Sequence, residues 1–160
     1  MIGFMGTPPK PSNSDSSKAD TPKRTFVLFD PQRPWTANAE RSWHFHKRAD
    51  MVRSCRERFY WFAKQQNIPN LEQVIVVAEP HVQTRRSLPD VGACYPAVKA
   101  AIDGLVDAGV IPNDTPEHLT GLLFLPARVQ KVEGMKVYVI PSEQALNTLK
   151  EIFGISADMT

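Results

Sequence analysis

Two aspartates and a lysine are spaced around one predicted helix in a way that could do chemistry. Asp90 lies before the helix predicted for residues 95–108, Asp114 lies after it, and Lys99 lies within its first turns. If both ends of this segment meet at one end of a sheet, the carboxylates could bind Mg²⁺ and activate water. The lysine would then stabilise the anion that develops during phosphodiester hydrolysis. Acids that flank a helix are more often solvated caps, so the spacing by itself is weak evidence for a metal site.

The charge of the chain is distributed unevenly. Residues 1–88 carry 14 Lys or Arg against 8 Asp or Glu, a net charge of +6, whereas residues 89–160 carry 5 against 9, a net charge of −4. A metal-dependent nuclease needs both kinds of surface, because phosphates bind cations and Mg²⁺ binds carboxylates. Many proteins acquire such an asymmetry by chance, so it supports nucleic-acid binding only together with other signals.

The hydrophobic pattern predicts an α+β fold, a mixed or antiparallel sheet with packed helices, in the order β-α-β-α-β-β-α. The predicted strands are residues 25–29, residues 72–79 and an antiparallel pair, 119–129 and 136–140, that turns at Glu133 and Gly134. The predicted helices are residues 44–66, residues 95–108 and a last helix that Ser142 caps. Residues 1–24, rich in Pro, Ser, Lys and Asp, are predicted to be a disordered tail before a single domain of residues 25–160.

The predicted helix of residues 44–66 has a basic side opposite its apolar stripe. That side consists of His46, Arg53, Arg56, Tyr60 and Lys64. It is either a solvated surface or a face that follows phosphates, with an interleaved aromatic ring.

The composition limits the classes of protein to which the chain could belong. A hydrophobic fraction of 42% is ordinary for a soluble globular domain. No apolar run approaches the roughly 20 residues that span a bilayer, and the first residues lack the basic segment of a signal peptide. Cys55 and Cys94 have no metal-type spacing and are predicted to be buried, reduced thiols. These features predict a cytoplasmic protein that does not enter a membrane.

The segment from Asp90 to Asp114 resembles the RusA-like Holliday-junction resolvases, especially the versions found in phages and prophages of actinobacteria. Those proteins read Asp-x-Asp-Asn-Leu, then Pro-Thr-x-Lys, Asp-Gly-Leu-x-Asp-Ala-Gly and Asp-Asp. This chain retains Asp90, Pro96, Lys99, residues 103–109 and Asp114. The resemblance extends over residues 25–141 and includes the opening loop of residues 34–41 with His44, the basic helix and the pair Arg85 and Arg86.

The resemblance implies a dimeric, Mg²⁺-dependent endonuclease that binds four-way DNA junctions in a bacterial host cell. It implies that Asp90 and Asp114 hold the metal and that Lys99 joins them in catalysis. The residues implied to contact DNA are Asn38, Arg41, Arg53, Arg56, Lys64, Arg85 and Arg86.

The departures from the family pattern affect the implied metal site. Gly92 stands where the family has its second aspartate, Ala93 and Cys94 replace the asparagine and leucine, and Asn113 replaces the first acid of the final pair. In an extended loop, residues two apart face the same side, so Gly92 would be a lost ligand beside Asp90. We therefore expect binding of branched DNA with impaired cleavage. The alternative is a catalytically dead phage protein retained as a protein-interaction or host-interference factor.

Residues 1–24 contain too few apolar side chains to offset the entropy cost of ordering them, so we expect that they are dispensable for folding. Deleting them should change the melting temperature, measured by circular dichroism, by no more than a few degrees. A larger decrease would mean that the segment packs against the domain.

Overall fold

The computed structural model describes residues 24–155 and contains four α-helices and five β-strands. The strands are β1 (Phe26–Asp30), β2 (Val74–Val82), β3 (Leu119–Phe124), β4 (Arg128–Val129) and β5 (Gly134–Pro141). The helices are α1 (Ala37–Arg41), α2 (Phe45–Gln65), α3 (Tyr95–Asp107) and α4 (Ala145–Phe153), with short 3-10 helices at Arg85–Ser87 and Ser142–Gln144. The predicted disordered tail lies outside the described residues, except for Arg24. No helix among them is long and apolar enough to cross a membrane.

The sheet is mixed, which confirms the predicted α+β class. Its strand order is β1-β5-β2-β3, and β4 pairs with the end of β2. Strand β5 is antiparallel to β1 and β2, whereas β3 and β4 are parallel to β2. The predicted antiparallel pair of β3 and β5 is therefore wrong. Strand β5 is largely buried and takes a central position between β1 and β2, while β3 lies on the other side of β2.

Three local predictions also need correction. The opening loop of residues 34–41, for which no helix is predicted, contains α1, whose first turn is capped by the Thr36 side chain accepting from Ala39 N. The strand predicted for residues 119–129 is interrupted after Phe124 and resumes as β4. Ser142 is not the cap of the last helix, because its hydroxyl group is hydrogen-bonded to the hydroxyl of Thr120 at 2.7 Å and α4 begins only at Ala145.

The main core lies between one face of the sheet and the helices α2 and α3. Helix α2 buries Cys55, Phe59 and Ala63, and α3 presents an almost completely apolar side to them. A smaller apolar cluster on the opposite face packs α4 against β2 and β5 through Val77, Ile140 and their neighbours. Burial of these two faces provides the main driving force for folding.

One buried ion pair connects the sheet to α2. The Asp30 carboxylate, at the end of β1, is almost completely buried and accepts hydrogen bonds from Nε and Nη2 of Arg58 at 2.9–3.0 Å. It also accepts one from the backbone N–H of Gln32 at 3.0 Å. Hydrogen bonds to an ionised carboxylate are stronger than those between neutral groups. These bonds therefore hold the end of β1 and the start of the next loop against α2.

The topology brings several loops to one end of the sheet. Strands β1, β2 and β3 end there and β5 begins there, because β5 is antiparallel to both its neighbours and β3 is parallel to β2. This end of the sheet, which we call the loop end, therefore carries residues 31–36, 83–94 and 125–133. The last of these segments includes β4.

Helices α2 and α3 approach so closely at Gly104 that a Cβ there would collide with the carbonyl oxygen of Arg56 and lie 3.0 Å from Cβ of Phe59. Replacing Gly104 by Ala should therefore destabilise the protein by about 2 kcal/mol, since a backbone contact cannot relax. Urea unfolding measures the change. The control Gly121→Ala meets the Ile75 side chain, at 3.3 Å, rather than a backbone atom, and should change stability by less than about 1 kcal/mol. Equal effects would contradict the close-packing argument.

Candidate functional site

Lys99 and Asp114, two of the three predicted catalytic residues, are in contact. The Lys99 ammonium group donates to Asp114 Oδ2 at 2.8 Å and also forms an ion pair with Asp103, one turn further along α3. Partial burial lowers the pKa of Lys99, but the hydrogen bonds to Asp103 and Asp114 outweigh it, and the pKa stands above its ordinary value. The hydrogen bond from Lys99 holds the pKa of Asp114 below its ordinary value. We call these three residues the Lys99 cluster.

Asp90, the third predicted residue, is not part of this cluster. Its side chain is exposed and makes no hydrogen bond or ion pair within residues 24–155. Across the same residues no three His, Cys, Asp or Glu side chains form a group that could hold a metal ion. Within the described residues, Asp114 is therefore engaged by Lys99, whereas Asp90 is not.

Gly92 has a backbone conformation that the loop before α3 requires. Its φ is +81°, in the left-handed region that side chains disfavour. The N–H of Ala93 donates to Asp90 O at 3.0 Å and that of Tyr95 donates to Gly92 O at 3.1 Å, so residues 90–95 form consecutive turns. The expectation that Asp90 and position 92 face the same side of an extended loop is therefore wrong. Glycine fits this position because of the turn.

Two hydrogen bonds join the opening loop to the loop that follows β2. Arg33 Nη2 donates to the backbone oxygen of Ser87 at 3.3 Å, and Ala37 N donates to Ala93 O at 2.9 Å. Trp35 is buried, and its indole N–H donates to Glu40 of α1 at 2.9 Å. This hydrogen bond holds the opening loop in place. The loop end and α1 consequently form one continuous surface.

That surface carries arginines with no carboxylate partner. Among residues 24–155, four exposed arginines of this surface make no ion pair, and we call them the loop arginines: Arg33, Arg41, Arg85 and Arg86. The predicted Asn38 lies beside them, exposed on α1. Asp90 is the nearest carboxylate in sequence to Arg85 and Arg86. The loop arginines therefore give this end of the molecule a positive surface.

The predicted basic face of α2 is different, because acidic residues neutralise most of it. Arg56 forms a two-bond ion pair with Asp107 on α3, with Nη2 to Oδ1 at 2.7 Å, and Arg53 lies 3.6 Å from Asp50. The Arg56 hydrogen bond lowers the pKa of Asp107. Lys64 is exposed and lies over the Tyr60 ring at 5.5 Å. Arg53, Arg56 and Lys64 are thus placed on one helix, but with little net charge.

Arg33 is the residue that the sequence pattern did not select. It precedes the Pro-Trp pair of the opening loop, and its guanidinium reaches the segment that carries Arg85 and Arg86. Arg33 lies one residue before the opening loop of residues 34–41, and its contact with Ser87 depends on tertiary structure.

An open groove of about 710 Å³ runs along α2. Its lining combines the half-exposed Trp61 and Tyr60 with Val52 and the Arg56–Asp107 pair. Exposed aromatic rings beside charged groups are typical of surfaces that bind other macromolecules.

Two further groups of polar or reactive side chains are structural. The buried Glu79 on β2 accepts from His81 at 2.8 Å and from Arg128 at 3.0 Å, so its carboxylate is paired. Burial raises the pKa of the Cys55 thiol to about 12 and that of Cys94 to about 11, which leaves both thiols protonated at neutral pH.

Comparison of the chain with models of known protein families and with curated protein sequences finds no match. The assignment of a function therefore depends on the resemblance in sequence and on the geometry described above.

Because Gly92 has positive φ, Gly92→Asp should lower the free energy of unfolding by about 1 kcal/mol, although nothing lies within 4 Å of the new Cβ. Gly92→Asn should cost less, since asparagine tolerates this conformation. Thermal unfolding with and without Mg²⁺ measures both effects, and neither variant should gain stability from Mg²⁺. A Mg²⁺-dependent gain confined to Gly92→Asp would restore the interpretation of Gly92 as a lost ligand.

Proposed function

We propose that the protein is a RusA-like protein that binds branched DNA, with four-way junctions as its substrate class, and that its Mg²⁺-dependent endonuclease activity is impaired. The observation that carries the proposal is the group of four loop arginines without carboxylate partners. Three of them lie in segments that follow strands at the loop end and Arg41 lies on the adjoining α1, an arrangement in which a rigid sheet presents exposed polar side chains to a ligand.

The loop arginines suit phosphate binding for a physical reason. An arginine already paired with a carboxylate must lose that partner before it can bind a phosphate, whereas an unpaired one exchanges only water and counter-ions. A guanidinium group also binds phosphate through two parallel hydrogen bonds. Phosphate contacts of this kind give affinity and orientation without base specificity, which fits a ligand defined by its shape.

Impaired cleavage follows from the acidic residues. Mg²⁺ requires oxygen ligands in a nearly octahedral arrangement, whereas Asp114 is paired with Lys99 and Asp90 forms no hydrogen bond or ion pair with either residue. Cleavage by positioned metal and water tolerates little displacement. We therefore expect slow, residual cleavage rather than efficient cutting.

A second candidate function is binding of another protein after loss of catalysis. The groove along α2 favours it, because Trp61 is 60% exposed and stands next to Tyr60 and the neutralised Arg56. Binding of DNA by the loop arginines and of a protein by the groove would use different surfaces.

We also propose that the protein forms a homodimer. Strands β1 and β3 are the two edges of the sheet within residues 24–155, and each has one hydrogen-bonding side without a strand partner there. Edges of this kind are generally covered or paired. A two-fold dimer would match the near two-fold symmetry of a four-way junction.

The double variant Arg85→Ala/Arg86→Ala tests the DNA-binding proposal. It should weaken binding of a four-way junction roughly tenfold and reduce the slope of log affinity against log salt by about 2, since each lost phosphate contact removes about one unit. Gel-shift titrations over a series of salt concentrations measure both.

The control is Arg53→Ala/Lys64→Ala, which removes the same charge from α2 and should change affinity less than twofold. A larger loss in the control would move the interface to α2. Absence of any junction binding by the unmodified protein would refute the proposal, and rapid cutting in Mg²⁺ would refute the claim of impaired catalysis.

A further inference from the structure

We infer that a small pocket between α1, α2 and the start of α3 binds one phosphate group, with Arg41 and Arg48 as its cationic ligands and Glu40 as the residue that positions Arg48. The inference deepens the proposed function and rests on it only for the source of the phosphate, which is DNA. It adds Arg48, a cation that is not among the predicted DNA-binding residues or the loop arginines.

The pocket is a concave part of the surface that carries the loop arginines. It has a volume of about 180 Å³ and is lined by Ala37, Glu40, Arg41, Arg48 and Pro96. Helix α1 supplies the first three of these residues, α2 supplies Arg48, and Pro96 is the second residue of α3. A space of this size accommodates several water molecules or one tetrahedral anion.

The side chains that line the pocket leave it positively charged. Arg41 makes no ion pair within residues 24–155, so its charge is not compensated there. Glu40 is paired with Nε of Arg48, and its other carboxylate oxygen, Oε2, accepts from the indole N–H of Trp35 at 2.9 Å. Both oxygens of this acid are therefore engaged, and two cations share the pocket with one carboxylate. An anion can enter without separating Glu40 from either partner.

Arg48 is held at one end of its guanidinium group and free at the other. Its ion pair with Glu40 is made through Nε, whereas Nη1 and Nη2 make no hydrogen bond within the described part of the chain. The Arg48 side chain is 62% exposed and that of Glu40 only 11%, so the pair is formed on the protein side of the guanidinium group. Phosphate accepts two parallel N–H bonds from such a group. Unlike an arginine whose terminal nitrogens are paired, Arg48 can keep its carboxylate partner and bind an anion.

Glu40 is in turn held by the opening loop and α1. Trp35, which donates to it, is buried, and the Thr36 hydroxyl accepts from Ala39 N in the first turn of α1. The contacts therefore run from Trp35 through Glu40 to Arg48. An arginine that is oriented before its ligand arrives loses less side-chain entropy when it binds.

Titration of the full-length protein with inorganic phosphate, at an ionic strength kept constant with chloride, tests the pocket without DNA. The indole N–H of Trp35 is a local reporter in ¹H–¹⁵N NMR spectra, because it contacts Glu40. Its signal should shift saturably, with a dissociation constant on the order of 10⁻³ M, since a few charge-assisted hydrogen bonds at a solvent-exposed site give weak affinity. Arg41→Ala and Arg48→Ala should each weaken binding about fivefold or more.

Lys47→Ala is the matched control for these variants. It removes one positive charge next to Arg48 in the sequence, but Lys47 lies over the Trp43 ring at 4.7 Å and does not line the pocket. It should change the affinity for phosphate less than about twofold, because salt screens an exposed charge outside the site. Arg41, Lys47 and Arg48 are all exposed, so the three variants should keep the fold, which circular dichroism verifies.

Two further variants separate positioning by Glu40 from a general effect of charge. Glu40→Gln removes a negative charge, so a site governed by net charge alone would bind phosphate more tightly. Because Glu40 positions Arg48, the variant should instead bind phosphate about threefold more weakly, or worse. Arg48→Lys keeps the charge but loses the planar pair of donors, and it should weaken binding to a similar extent. It also tests the orientation of the donors if Glu40→Gln does not fold.

The source of the phosphate is tested with four-way junctions assembled from strands with and without 5′-phosphates. If a phosphate of the continuous backbone occupies the pocket, Arg48→Ala should weaken binding of both junctions equally, by about fivefold. A loss confined to the 5′-phosphorylated junction would assign the pocket to a strand end.

Absence of a saturable shift at phosphate concentrations well above the millimolar range would overturn the inference. A shift that persists in both arginine variants would also overturn it, because the anion would then bind elsewhere. Tighter binding by Glu40→Gln would overturn the positioning role of Glu40. Phosphate binding in a protein that binds no junction would refute the proposed function and leave the pocket standing, whereas normal junction binding by Arg48→Ala would refute only the assignment of the phosphate to DNA.

Discussion

Strand β2 imposes the constraint on which the remaining structure depends. It is hydrogen-bonded to β5 on one side and to β3 and β4 on the other, and residues Val76–Val82 are buried. A strand in this position cannot move without breaking both ladders, so the chain that leaves it starts from a fixed point. That chain carries Arg85, Arg86 and Asp90 in succession before α3 begins. The positions of the candidate functional residues therefore derive from a rigid strand rather than from the loop itself.

The distribution of ion pairs separates two kinds of arginine. Arg58 is held by the buried Asp30, and its guanidinium contributes to joining β1 with α2. Removing Asp30 would leave the charge of Arg58 without compensation, so Arg58 has a structural role. The loop arginines have no carboxylate partner within the described part of the chain. A surface that binds phosphates needs cations that are free to exchange partners, and the loop arginines group four such cations on one surface of the described residues.

Local patterns predicted the elements better than their arrangement. The helices predicted for residues 44–66 and 95–108 correspond to α2 and α3, and Gly109, with φ +75°, follows the last residues of α3. The pairing of β3 with β2 could not be predicted, because the turn at Glu133 and Gly134 looked like a hairpin between neighbouring strands. Instead, the crossover from β2 through α3 returns β3 parallel to β2, an arrangement set by helix packing over long sequence distances. Closeness in the sequence therefore did not predict which strands are hydrogen-bonded to each other.

The candidate site shows the same limit at the scale of single residues. Lys99 and Asp103 are four residues apart in one helix, so sequence spacing places them on the same face, and Asp114 also contacts Lys99. Spacing alone could not show that Asp90 forms no hydrogen bond or ion pair with them. Nor could it show that Gly92 has positive φ, because backbone conformation in a loop depends on what the flanking segments contact. The turns of residues 90–95 need a residue with positive φ at position 92, and glycine supplies that geometry at the lowest conformational strain.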